Sequence, residues 1–112
     1  MREYFYVRDA VEAYLQLAER IPSDGITGEA FNFGTELPLN VIEVVNAVLK
    51  AMNRSDLAPI ILNEASREIP EETLDCNKAK RVMNWTAKWT LEQGLAETIP
   101  WYADWMKQHG GA

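Results

Sequence analysis

Arg2-Glu3-Tyr4-Phe5-Tyr6-Val7-Arg8-Asp9-Ala10 is the stretch on which the reading of this 112-residue chain turns. Its middle, Glu3 to Val7, is short and aromatic, the composition of a strand. Asp9 then opens a helix, and Glu12 three residues on completes a capping-box pattern. Val7, Ala10, Val11, Tyr14, Leu17, Ala18 and Ile21 recur at helical spacing, so this stripe is expected to face a core. Pro22-Ser23-Asp24-Gly25 ends the helix. The arginine at the head of the stretch carries the chemical interest. A guanidinium offers several fixed donors that suit a diphosphate, where a lysine offers only a point charge.

Working outward, the same alternation of extended runs and capped helices continues. Glu29-Ala30-Phe31-Asn32-Phe33-Gly34 alternates polar and apolar residues and reads as a strand. Ala58-Pro59-Ile60-Ile61-Leu62-Asn63 is a third candidate, with Pro59 tolerable at its start, and Glu72 to Cys76 a fourth. Asn40 caps a helix with Glu43 at the box position, and Val41, Val44, Val45, Val48, Leu49 and Met52 form its buried side. Asn77 caps a short helix reaching Met83. Thr90, with Gln93 at its box position, opens the last helix, which carries Leu91, Leu95, Ile99, Tyr102, Trp105 and Met106 on one stripe. Pro100 inside that pattern removes an amide and crowds the carbonyl of Ala96, so a kink or a break is expected there. The expectation is one α/β (α+β) domain over residues 1–112, small and mixed, with about four helices and short strands.

Composition narrows the function. No run of about 18 apolar residues is present, so no membrane span is expected. The first residues have no apolar signal region, which points to the cytoplasm. A net charge of −6 and a pI near 4.7 argue against a nucleic-acid or anionic-membrane surface. The single Cys76 excludes an internal disulfide and a cysteine metal cluster, and it reads as a small buried packing residue. His109, the only histidine, belongs to a solvated tail. No glycine-rich loop follows a strand, none of the four tyrosines has a lysine four residues later, and no Ser-His-Asp set is possible. No metal and no catalytic residue is assigned. Glu71, Glu72 and Asp75 read as a solvated acidic loop, and Trp85, Trp89, Trp101 and Trp105 as packing of the last helix.

The opening stretch resembles the Arg-Asp-Tyr-(Ile/Val)-(His/Tyr)-Val-x-Asp segment of extended short-chain dehydrogenases/reductases that act on nucleotide sugars. The order of the likeness holds down the chain. Glu29-Ala30-Phe31-Asn32-Phe33-Gly34 is similar to the family's Tyr-Asn-Leu-Gly strand, and Val41 to Val45 to the helix after it. Asp75-Cys76-Asn77-Lys78-Ala79-Lys80 with Met83-Asn84-Trp85 resembles Asp-x-(Ser/Asn)-Lys-Ala…Leu-Gly-Trp, and Thr90 to Tyr102 the closing helix. The nearest flavour is CDP-glucose 4,6-dehydratase-like, with UDP-galactose 4-epimerase and GDP-mannose 4,6-dehydratase as relatives.

The resemblance implies the C-terminal, substrate-binding lobe of an NAD-dependent epimerase/dehydratase, truncated and without its Rossmann domain. NAD(P) and the catalytic Tyr-x-x-x-Lys would belong to that other domain, so no cofactor is expected on this chain. Arg2 matches the arginine that contacts the nucleotide diphosphate, Tyr4 a neighbour lining the nucleotide pocket, and Val41 an apolar contact near the base. Glu68 matches an acidic residue on the ribose or sugar side. Where many members carry a second phosphate-binding arginine this chain has Ala65, and Arg67, two residues on, is the substitute candidate. A common pocket tyrosine is also absent, with Glu72 and Thr73 in its stretch.

Two functions follow as expectations. One is a lobe that holds a nucleotide sugar weakly and is not an enzyme on its own, since half a pocket encloses less surface. The other is an interaction or assembly domain, because an unpaired strand edge and an apolar face seek partners. Those partners would be a second copy, as a homo-oligomer, or a separate Rossmann-domain protein.

Overall fold

The computed structural model describes residues 1–23, 25–64 and 69–110. The elements run β1 (Arg2–Glu3), α1 (Val7–Arg20), β2 (Pro38–Leu39), α2 (Val41–Ala51), α3 (Asn77–Met83) and α4 (Leu91–His109). The two strands form an antiparallel pair in which Arg2 faces Leu39 and Glu3 faces Pro38. This is the small mixed α/β domain of four helices that the sequence leads one to expect.

The strands differ from expectation in place and length. β1 stops at Glu3, and the runs 29–34, 58–63 and 72–76 carry no ladder, while the short β2 was not anticipated. An extended segment becomes a strand only when a neighbour exchanges backbone hydrogen bonds with it. Here side chains take that part. Asn32 Nδ2 donates to the Asp75 carbonyl at 3.2 Å, and Lys78 Nζ donates to the Ala30 carbonyl at 2.8 Å. The Glu3 carboxylate accepts the Leu74 amide at 2.8 Å and the Glu36 amide at 2.9 Å. One side chain on β1 thereby pins both loops beside it.

The helix ends show which caps were legible. At α2, Asn40 Oδ1 accepts the Glu43 amide at 2.9 Å, and Glu43 Oε2 accepts the Asn40 amide at 2.8 Å. Thr90 and Gln93 close the same box on α4 at 3.2 and 2.9 Å. Asp9, by contrast, is not the cap of α1. Tyr6 takes that place, and the Asp9 carboxylate, only 1% exposed, accepts the amides of Lys88 and Trp89 at 3.0 Å each. A buried carboxylate able to satisfy two donors of a distant loop is worth more there than on its own first turn. Cys76, not Asn77, caps α3, and Asp75 Oδ1 accepts the Asn77 amide at 2.9 Å. α4 runs through Pro100 unbroken. Pro100 and Ala96 are both exposed, so the Ala96 carbonyl that lacks a donor at that turn is open to solvent.

The core is small. Ala13, Ala79, Met83 and Trp85 are buried together, with Phe5, Leu17, Phe31, Phe33 and Ala87 packed around them. The Trp85 indole meets Phe33 edge-on at 4.9 Å and Phe5 at 5.8 Å. Asn84 puts it there: with φ of 51° it takes the left-handed turn that ends α3, where the resembled signature has glycine. Asparagine is the side chain that most readily replaces glycine in that conformation.

Much of the expected core face is instead uncovered. On α1 the covered stripe is Asp9, Ala13 and Leu17, whereas Val7, Val11, Tyr14 and Ile21 are exposed. The helix is apolar on two sides, and periodicity alone does not tell which side a small core can reach. On α2, Val44, Val45, Val48 and Leu49 are half-buried as expected, while Val41 and Met52 are exposed. α2 packs against α4. Trp101 and Trp105 of α4, expected to pack the helix, are 59% and 45% exposed, because the body ends before that part of α4. The radius of gyration is 17.6 Å, against about 13 Å for a compact domain of this length. Exposed surface totals 8611 Å², against about 6200 Å² expected for a compact monomer of this mass. No helix among the described residues is long and apolar enough to cross a membrane.

Candidate functional site

The antiparallel pairing of Arg2 with Leu39 brings the start of the chain beside the start of α2. Arg2 and Val41, the first residue of α2, line one hollow of about 390 Å³ together with Met1, Ile69 and Pro70. Two backbone contacts hold its wall: the terminal ammonium donates to the Pro70 carbonyl, and the Glu72 amide donates to the Met1 carbonyl at 3.1 Å. Arg2 Nη1 donates to the Met1 carbonyl at 2.8 Å, and Arg2 Nε lies 3.5 Å from Glu72 Oε2. The guanidinium side chain is 37% exposed, so it remains open to an anion from solvent.

Of the residues singled out in the sequence, Arg2 and Val41 thus meet. Tyr4 lines two neighbouring hollows instead, of about 380 and 410 Å³, both bordered by Trp89, Thr90 and Leu91. The ladder ends at Glu3, so the alternation that would set Tyr4 beside Arg2 is lost. Arg67, Glu68 and Ala65 lie outside the described residues. Glu72 is the residue whose role sequence reasoning missed. It stood in an acidic run that read as solvated, and only the fold brings its carboxylate to Arg2.

The widest of these hollows, about 520 Å³, lies between the entry to α1 and α4 and is lined by Phe5, Tyr6, Arg8, Glu97, Trp101 and others. Its polar groups are engaged with one another. Arg8 Nη2 sits 2.6 Å from Glu97 Oε2, which also accepts the Tyr6 hydroxyl at 3.1 Å, and Arg8 lies over the Trp89 ring at 5.3 Å. Burial, helped by the Glu97 carboxylate, pushes the Tyr6 hydroxyl above its ordinary value. That is the wrong direction for a general base. Burial likewise pushes up the Cys76 thiol, with Glu36 and Glu3 adding to the effect, which agrees with a buried packing residue. Among the described residues no group of three His, Cys, Asp or Glu side chains is placed to hold a metal ion.

The geometry is that of a small mixed α/β domain with an arginine-bearing hollow at the edge of its sheet. Comparison with known proteins makes this more particular. The chain matches one part of dTDP-glucose 4,6-dehydratase-like NAD-dependent epimerase/dehydratases. It is 27% identical over 115 residues to dTDP-glucose 4,6-dehydratase of Haemophilus influenzae, covering 91% of this chain and 32% of that protein. It is 29% identical over 117 residues to a trifunctional UDP-glucose 4,6-dehydratase/epimerase/reductase of Arabidopsis thaliana, covering 100% of this chain and 17% of that one. Against UDP-glucose 4-epimerase of Mycolicibacterium smegmatis the figures are 27% identity, 90% and 31%. The chain therefore spans about a third or less of the length of the curated relatives it matches. No family model matches it.

Proposed function

We propose that this chain is a nucleotide-sugar-binding lobe of the epimerase/dehydratase type, not catalytic by itself. The observation that carries the reading is the match of nearly the whole chain to a minor part of dehydratases and epimerases whose names specify dTDP and UDP sugars. Arg2 supplies donors for the diphosphate and Val41 an apolar wall for the base, with Arg67 and Glu68 as further contacts of the same ligand and Tyr4 bordering the neighbouring hollows. The dinucleotide and the residues that pass hydride and proton would come from a Rossmann domain that this chain does not supply. Without that domain the hollow encloses little of the ligand, so millimolar affinity is expected, on the order of −4 kcal/mol.

Backbone amide NMR tests this. On titration with dTDP-glucose or UDP-glucose, shifts are expected at Arg2, Val41 and Ile69, and NAD is expected to give none. Arg2→Ala should abolish the shifts at Val41. Saturable shifts that persist in Arg2→Ala would remove Arg2 from the site and with it this reading.

A second reading rests on a separate observation, the uncovered apolar side of α1 and the run 29–34, which carries no strand ladder. Tyr14 is 71% exposed and shares a hollow of about 400 Å³ with Phe31, Phe33 and Leu74. This surface suits docking onto a separate Rossmann-domain protein, which would give the free edge a neighbour. Tyr14→Glu is expected to prevent such docking while leaving the amide shifts at Arg2 intact.

A further inference from the structure

We propose that the C-terminal half of α4 is a self-pairing surface that takes a second copy of this chain in an antiparallel, two-fold arrangement. Every residue from Trp101 to His109 is exposed, so the described body covers little of this stretch. Yet it is not polar throughout. Trp101, Tyr102, Trp105 and Met106 recur at the i, i+1, i+4, i+5 positions of one helical face, and they are 59%, 52%, 45% and 52% exposed. An apolar stripe on a helix standing clear of its body is costly in water, and a lone helical end of this length is marginal without packing.

Two features select a second copy as the occupant. The first is self-complementarity, which a two-fold interface requires. The stripe has a hollow at one end, the 520 Å³ cleft bordered by Trp101 and Tyr102, and bulky side chains at the other, Trp105 and Met106. Antiparallel pairing about a point midway between Ala103 and Asp104 sets Trp105 of each copy against Tyr102 of the other, and Met106 against Trp101. Each copy's bulk then sits at the other's hollow, and the two helix dipoles oppose. The second feature is charge. The chain carries −6 overall, which discourages self-association, but this segment is locally balanced, with Lys107 Nζ 3.2 Å from Asp104 Oδ1.

The area agrees with a weak dimer. With roughly 200 Å² per large side chain, half exposed, the stripe and neighbouring Val7 contribute about 500 Å² per copy. Two copies then bury about 1000 Å², the lower edge of specific interfaces. The surface shares no residue with the Arg2 hollow, so its failure would leave the nucleotide-sugar reading untouched.

Sedimentation equilibrium over a concentration series, with the intact chain, is the test. The expected result is a mass rising from 12.7 kDa toward twice that value. Trp105→Glu and, separately, Met106→Lys should weaken association at least tenfold, with unchanged far-ultraviolet circular dichroism. Tyr14→Glu, on the uncovered side of α1, should leave it unchanged. A chain that stays monomeric at millimolar concentration overturns the proposal. So does a dimer that survives both α4 variants, or one that Tyr14→Glu dissociates.

Discussion

Asp9, Gly34 and Asn84 each hold a position that the local pattern alone does not justify. Asp9 satisfies two amides of the loop before α4 from inside the protein, so Asp9→Ala leaves both without that acceptor. We expect a loss of about 3 kcal/mol in chemical denaturation, and a smaller one for Asp9→Asn, which keeps one acceptor oxygen. A Cβ on Gly34 would stand 2.4 Å from Glu3 Oε2, the carboxylate that pins both neighbouring loops. Gly34→Ala should therefore cost about 1–3 kcal/mol. Asn84→Gly at φ 51° should be neutral or slightly stabilising, and Asn84→Val destabilising by over 1 kcal/mol. Glu36 titrates with a definite sign. The Lys80 ammonium, then the Cys76 amide, hold its carboxyl below the ordinary 4.5, so its contribution is full above pH 4.5 and lost as pH falls through the lowered folded value. Thermal melts of Glu36→Gln should lie below those of the parent at pH 7 and converge with them in acid. In the hollow, Glu72 occupies Arg2 at 3.5 Å with a largely exposed side chain, so Glu72→Gln should tighten phosphate-containing ligands two- to fivefold.

At the scale of elements, what the sequence made legible was whatever a few neighbouring residues decide. Asn40 with Glu43 and Thr90 with Gln93 are short-range hydrogen-bond patterns, and the helices they cap begin where expected. Thr90→Ala should cost about 1 kcal/mol. The strands depended on partners distant in sequence, and so 29–34 and 58–63 kept a strand's pattern without a strand's ladder. Asp9 failed as a cap for the same reason: its better partners lie some eighty residues away. The site was legible to a similar depth. Arg2 and Val41 meet because β1 pairs with β2 at the mouth of α2, while Tyr4 falls elsewhere once the ladder stops at Glu3. Glu72 was hidden among acidic neighbours, since no local pattern marks a carboxylate that a fold will set against a guanidinium.

For the molecule as a whole, the governing fact is an excess of surface. An exposed area of 8611 Å² exceeds that of a compact monomer of this mass by about 2400 Å², in the range that obligate interfaces bury. Much of it is apolar and lies on the outer side of α1, along 60–62 and at the end of α4. On the proposed reading of a ligand-binding lobe, the parts on α1 and along 60–62 are where a second domain would pack, and the chain matches a third or less of the length of the dehydratases. The most direct test is ligand-observed proton NMR of dTDP-glucose, with NAD present, on adding the purified chain. The expected result is broadening of the nucleotide-sugar signals that Arg2→Ala removes, with no 4-keto product over many hours. Product formation by the chain alone, or sugar signals as sharp as in its absence at millimolar protein, would contradict it.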